Sequence, residues 1–488
     1  MWIAHTLRRF RGVATDPAPL WFHLGYLHAL AASAAIRAGL SFEIRIPCHQ
    51  GEVVLPTLGS AVLTEADEWA SATVRSRHGR PELTNGDNII AIGGPDWRPL
   101  ATLHGDIRID DVDPYRGLTQ PMPPDPLPDN EIQRWRETTA RAWSILSRHH
   151  PDQAAELAAG MRALVPLPDV GRFRVHSASV ENGFGGALMS RPPDVGVLAM
   201  TLVHEFQHSK LSAVQHLVPL VTGMFPAVHH APWRDDPRPP SGLLQGVYAF
   251  TAVTEFWAAH RDDDNPLAQF EFAHWRGQTW ETLQTLRAQP ALTEWGRRFL
   301  DVLGARLEPL LSLEVSARIR ELADAAAADH RASWQVCHLR PDDEFVNHAV
   351  DSWLDNRPAP DGYTAEVVPA NVAQRLDVKA LLSRVRITEP ATYDTLRSTP
   401  DEVSGAGAGD FAYVAGDPAA RKLYLAELAD NPERAGAWSG LGLACAAAGQ
   451  PGAHGLLERP ELVRAVHLRV RERTRRAPGI EELAAWLG

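Results

Sequence analysis

The sequence predicts an α+β chain, mainly helical, in which a helix carrying H-E-x-x-H lies beside a small mixed or antiparallel sheet and a helical C-terminal region follows. Three observations predict it. Apolar residues alternate with period two only before residue 190, as in Phe42-Glu43-Ile44-Arg45-Ile46. Helical periodicity takes over from Glu131 and dominates after residue 300. The 488 residues, 44% apolar and 22% charged, make an ordinary globular composition with a length for about three domains. The expected regions are 1–120 (N-terminal α+β), 121–305 (the H-E-x-x-H region) and 306–488 (helical).

Taken in order, Leu20 to Ala38 reads as an amphipathic helix closed by Gly39. Arg8-Arg9 and the apolar stretch ending Ala31-Ala32-Ser33-Ala34 imitate a secretory signal. Asp16, Pro17 and Pro19 interrupt it, and His23 and His28 sit in its apolar part, so the helix is preferred. Ser41 to Asp113 is strand-like, with Ala72-Thr73-Val74-Arg75 and Ile107-Arg108-Ile109 repeating the alternation. Asp110, Asp111, Asp113 and Pro114 are expected to form a solvated turn, since their spacing fits no EF-hand loop. Leu118 to Pro128 reads as a Pro-rich linker, and Glu131 to Leu164 as helical.

Arg172 to Ser179 then reads as a strand, Gly183 to Gly186 as a turn and Ala187 to Ser190 as a returning strand. Arg191-Pro192-Pro193-Asp194 is a helix entry with Asp194 as cap, and the helix runs from Val195 to Leu217, stopped by Pro219. A Pro-rich loop, Ala231 to Gly242, leads into a second helix from Leu243 to His260. Asp401 to Asp410, with its glycines, is the best later linker. Trp438-Ser439-Gly440-Leu441-Gly442-Leu443-Ala444-Cys445 follows the opening of a tetratricopeptide helix pair, so the C-terminal region is expected to be helical and TPR-like.

Charge and cysteines exclude several classes. With 48 Lys and Arg against 60 Asp and Glu the net charge is −12, which argues against nucleic acid or an anionic membrane as the main partner. There is no apolar run long enough to span a membrane. Cys48, Cys337 and Cys445 are odd in number and far apart, which excludes a disulfide framework and points to a reducing, cytoplasmic compartment.

The chemistry rests on Val203-His204-Glu205-Phe206-Gln207-His208. Histidines four apart on a helix project about 40° from each other on one face, so both imidazoles can reach one metal ion. Glu205 lies about 100° from His204 and can reach a metal's water or orient its ligands. Val197, Thr201, Leu211 and Gln215 share the histidine face, so the pair emerges from a buried stripe. Mid-helix after two strands, the motif has the setting of a zincin-like domain. Leu211 and Val214 stand where a metzincin needs Gly and His, so that class is excluded. A third ligand is still required. Gln245 and Glu255 on the next helix are the leading candidates, with His216, His229, His230 and His260 behind them; spacing alone leaves the choice open.

Several stretches together resemble one family: His204 to Leu211, Ala231-Pro232-Trp233-Arg234-Asp235-Asp236-Pro237-Arg238-Pro239, Gly242-Leu243-Leu244-Gln245-Gly246-Val247-Tyr248-Ala249-Phe250, Phe256-Trp257, Leu55 to Gly59 and Asp110 to Arg116. They are similar to the H-E-x-x-H peptide-modification proteins encoded with ribosomally made peptides and radical-SAM enzymes. That family was first taken for peptidases and is understood as iron- and 2-oxoglutarate-dependent peptide β-hydroxylases. The resemblance covers most of the chain and is strongest over residues 195–260. It implies Fe(II) and 2-oxoglutarate as cofactors, a ribosomal precursor peptide as substrate and a radical-SAM enzyme as a partner. The distal carboxylate of 2-oxoglutarate then needs a cation. Arg234 is the first choice and Arg238 the second, unless both simply pair with Asp235 and Asp236. Lys210 and Tyr248 are lesser candidates. Phe250 departs from the family pattern, where some relatives are expected to carry His, and that puts metal affinity in question. The competing reading is a zinc peptidase with Glu205 as general base and Glu255 as third ligand. A non-enzymatic reading makes the helical C-terminal half a partner-binding surface.

Overall fold

The computed structural model describes residues 2–13, 17–64, 67–117, 121–168, 173–180, 183–192, 194–226, 228–262, 264–368 and 375–488. Asp16, Arg172, Pro193 and residues 118–120 of the Pro-rich stretch lie outside the described residues. The chain is mainly helical with antiparallel and mixed sheet, and it forms two compact units, Met1–Val214 and Gln215–Gly488.

In the first unit, α1 (Trp2–Phe10) and α2 (Leu20–Arg37) precede β1 (Phe42–His49), β2 (Glu52–Leu55), β3 (Gly59–Val62), β4 (Trp69–Arg77), β5 (Arg80–Asn85), β6 (Asn88–Ala91) and β7 (Arg98–Pro99). The strands make one antiparallel sheet in the order β6-β5-β4-β1-β2-β3-β7. The alternation in β1 sets its register. Ile44 pairs with Val74 and Ile46 with Ala72, and Ile46 and Cys48 are buried. The helix α2 packs on this sheet at Gly25, where a Cβ would come 3.1 Å from Pro47.

The second sheet takes β8 (Thr102–His104) and β9 (Ile107–Ile109), then, after α3 (Asp129–His149) and α4 (Pro151–Gly160), β10 (Ala163–Pro166), β11 (Ser177–Ser179) and β12 (Gly186–Met189). Its order is β11-β12-β10-β9-β8, with parallel pairs in the centre and antiparallel pairs outside. Among the described residues the outermost strand on one side is therefore β11. The expected helix from Glu131 to Leu164 is corrected twice. Pro151 starts a new helix at its first turn, and Leu164 lies in buried strand β10.

The acidic turn is also corrected. Asp111 and Asp113 are buried, not solvated. Asp113 accepts the Tyr26 hydroxyl at 2.5 Å, and Asp111 accepts the Leu127 amide at 2.8 Å. The buried Arg116 guanidinium donates to the Asp113 and Pro123 carbonyls, so the turn and the Pro-rich stretch brace one another. Helix α5 (Val195–Leu217) has the bounds its sequence predicts, and the unit ends within it at Val214.

In the second unit, α6 (Pro240–Ala259) starts at Pro240 instead of Leu243, because proline suits a helix's first turn. Next come α7 (Pro266–Arg287), α8 (Glu294–Leu311), α9 (Ala317–His338), a two-stranded ribbon, and further helices to Leu487. The Gly-rich stretch from Asp401 ends on a buried residue: Asp410 accepts Lys379 Nζ at 2.7 Å and the Tyr424 hydroxyl at 3.0 Å. Trp438 and Tyr424 are wholly buried in this unit's core. Among the described residues no helix is long and apolar enough to cross a membrane, and the three cysteines are free.

Candidate metal centre

Helix α5 starts where Asp194 Oδ1 accepts the Val197 amide at 2.9 Å, one of the orphan donors of a first turn. Leu198, Leu202, Val203, Phe206 and Leu211 are buried, so the helix is enclosed on most sides. That fixes the rotation of His204 and His208. Their Nε2 atoms converge to 3.1 Å, with ring planes 80° apart. Two imidazole nitrogens that share one ion at about 2.1 Å each lie about 3.0–3.4 Å apart when they are neighbouring ligands. The pair is set at that spacing. Burial, with His208 adding, holds His204 well below the usual imidazole range, so it is neutral near pH 7 and presents a lone pair.

Glu205 is 2% exposed. Its Oε1 lies 3.9 Å from His204 Nε2, and its Oε2 is buried without a hydrogen-bond partner. Burial raises its carboxyl, while His208, Ser177, Ser179 and His176 oppose the rise. Ser177 and Ser179, two apart on β11, present the same side of the strand to this carboxylate. His176 is the neighbour that the sequence reading missed. It precedes the strand and is exposed, and the alternation His176-Ser177-Ala178-Ser179 was its only signal. The two converged nitrogens have the spacing of two neighbouring ligands of one divalent ion. Among the described residues no group of three or more His, Cys, Asp or Glu could hold a metal ion.

The other candidates lie in the second unit. Gln245 Nε2 donates to Gln215 Oε1 at 2.8 Å. Glu255 receives both arms of Arg306, at 2.8 and 2.5 Å. Arg234 and Arg238 both bind Asp236, at 2.8 and 3.1 Å, and hold its carboxyl below the usual range against the opposing effect of burial. Asp235 instead receives His338 Nε2 on its carbonyl at 2.7 Å. His230 meets His330 at 3.0 Å, His229 bridges to Arg238 through the backbone, His260 packs on Phe256 and His216 is exposed. Lys210, in the first unit, pairs with Glu156 at 2.5 Å. Tyr248 packs on Phe299.

The Pro-Trp-Arg loop has a packing reason. Trp233 lies over Gly246, where a Cβ would collide with its ring, and stacks on Phe250 one turn later, 4.8 Å away at 12°. Phe250 also contacts Trp275. Phe250 therefore builds an aromatic stack that holds the arginine loop. No family model matches the chain, and no curated protein matches it.

Proposed function

We propose that the chain is an iron- and 2-oxoglutarate-dependent peptide β-hydroxylase with a zincin-like core, acting on a ribosomal precursor peptide beside a radical-SAM partner. The observation that carries the metal dependence is the convergence of two half-buried Nε2 atoms to 3.1 Å. Fe(II) and 2-oxoglutarate, when bound, would supply the oxidising chemistry with O2 as the oxidant: one oxygen atom goes to the β-carbon as hydroxyl, the other to the keto acid, which becomes succinate and CO2. His204 and His208 are the ion's first two ligands. For the third, Gln245 and Glu255 lie about 15 Å apart along α6 and serve as alternatives. The Arg306 fork on Glu255 favours Gln245. Glu205 orients the ligand face, braced by the β11 serines. Arg234 and Arg238 share one Asp236, so one positive charge remains to anchor the distal carboxylate of the keto acid. The outer edge of β11 offers backbone groups to an extended peptide. The three free cysteines accord with the reducing cytoplasm. The TPR-like reading is likewise proposed. Trp438 is buried as such a repeat requires, though the following helix, Ala453–Glu458, is short.

The zinc-peptidase reading draws on the buried, orphaned Glu205 oxygen, where a general base would stand. It needs Glu255 as third ligand, and that carboxylate is in the Arg306 fork. Incubation of the Fe(II)-loaded protein with 2-oxoglutarate, O2 and precursor peptide separates the two. Succinate with an intact peptide one oxygen heavier supports hydroxylation; backbone fragments without succinate overturn it.

A further inference from the structure

We propose that a cationic groove on α3 is a docking subsite for an acidic segment of the peptide substrate; this rests on the peptide-modifying reading above. Arg134, Thr138 and Arg141 stand on one face of α3, four and three residues apart. With Glu137, Ala140 and Arg191 they enclose a groove of about 440 Å³. Arg134 binds Glu131 at 2.5 Å, and Arg191 reaches the same carboxylate only at 3.9 Å. Glu137 is engaged by Gln133 at 2.8 Å. Arg141 is exposed and meets no carboxylate among the described residues. Three guanidiniums thus gather against two acids already in use, in a chain whose net charge is −12.

The place of the groove points to the occupant. Strands β11 and β12 pair Ser177 with Met189. One step on, the Ser190 amide donates to the His176 carbonyl at 2.8 Å, and the His176 amide donates to Ser190 Oγ at 3.0 Å. Arg191 is the next residue. A peptide laid on the outer edge of β11, with one residue facing Glu205, leaves the strand at the exposed His176 beside Arg191. An extended chain continued past His176 therefore runs on towards the Arg191 end of the groove. Guanidinium forks select carboxylates there, so the substrate class is a peptide with glutamate or aspartate on one flank of its modified residue.

The test needs neither metal nor keto acid, so its failure and the failure of the hydroxylase reading are separable. A fluorescein-labelled peptide with an apolar extended half and four terminal glutamates is compared with its glutamine counterpart by anisotropy, at about 50 mM salt. The glutamate peptide is expected to bind about tenfold more tightly and to weaken with salt. The double variant Arg134→Gln, Arg141→Gln is expected to abolish that preference, with its circular dichroism unchanged. Arg469→Gln, in an exposed pair of the second unit, is expected to keep it. Equal binding of the two peptides, a preference that survives the double variant, or inorganic phosphate competing as well as the glutamate peptide would overturn the proposal.

Discussion

Two histidines of the second unit, His274 and His330, are more deeply buried than His204 and His208. His274 meets Gln278 at 3.2 Å, and His330 meets His230 at 3.0 Å. Burial lowers His274 to about 3, with Arg384 adding to the effect, and lowers His330 to about 4. Both are therefore neutral core residues, and the unfolded chain takes up protons below about pH 6.5 that the fold refuses. Stability held above that pH is expected to fall as the pH drops towards 4. Imidazole NMR checks the residues directly: His274 and His330 stay neutral at pH 5, and titration of either near 6.5 would contradict the account. At this scale the sequence exposed the H-E-x-x-H pair, because helical spacing alone puts both rings on one face. It could not expose the engagement of Glu255, whose partner Arg306 is 51 residues away. Nor could it show that Asp111 and Asp113 are buried, because the groups that neutralise and hydrogen-bond them come from α2, β7 and the Pro-rich stretch.

Helix α5 was legible at both ends because its stops are chemical: Asp194 caps it and Pro219 follows it. The break at Pro151 was missed because apolar periodicity carries through Ala154 and Leu157 on either reading. The strand pattern predicted a strand over Arg172–Ser179; only Ser177–Ser179 pairs as one, and residues 173–176 do not. Its position at the sheet edge depends on pairing partners, which alternation does not name. The same limit applies to the Pro-Trp-Arg loop, whose sequence is distinctive but whose anchor, Gly246 under Trp233, appears only in the packing. Gly246→Ala is expected to force Trp233 off α6 and to cost about 1–3 kcal/mol, visible as a lower thermal midpoint. An unchanged midpoint would mean that the loop is held elsewhere.

Across the whole molecule, composition and periodicity indicated a mainly helical α+β chain with its strands in the N-terminal part. The division into Met1–Val214 and Gln215–Gly488 falls inside α5, where periodicity runs on without a linker signal, so nothing local marks it. The first unit holds the converged imidazoles, the buried Glu205 and the edge strand, and the metal hypothesis stands on those. Its most direct test is elemental analysis of anaerobically Fe(II)-reconstituted protein and of the folded variants His204→Ala and His208→Ala. About one tightly held ion per chain is expected in the wild type and none in either variant. Iron retained by both variants, or none in the wild type, would contradict the claim.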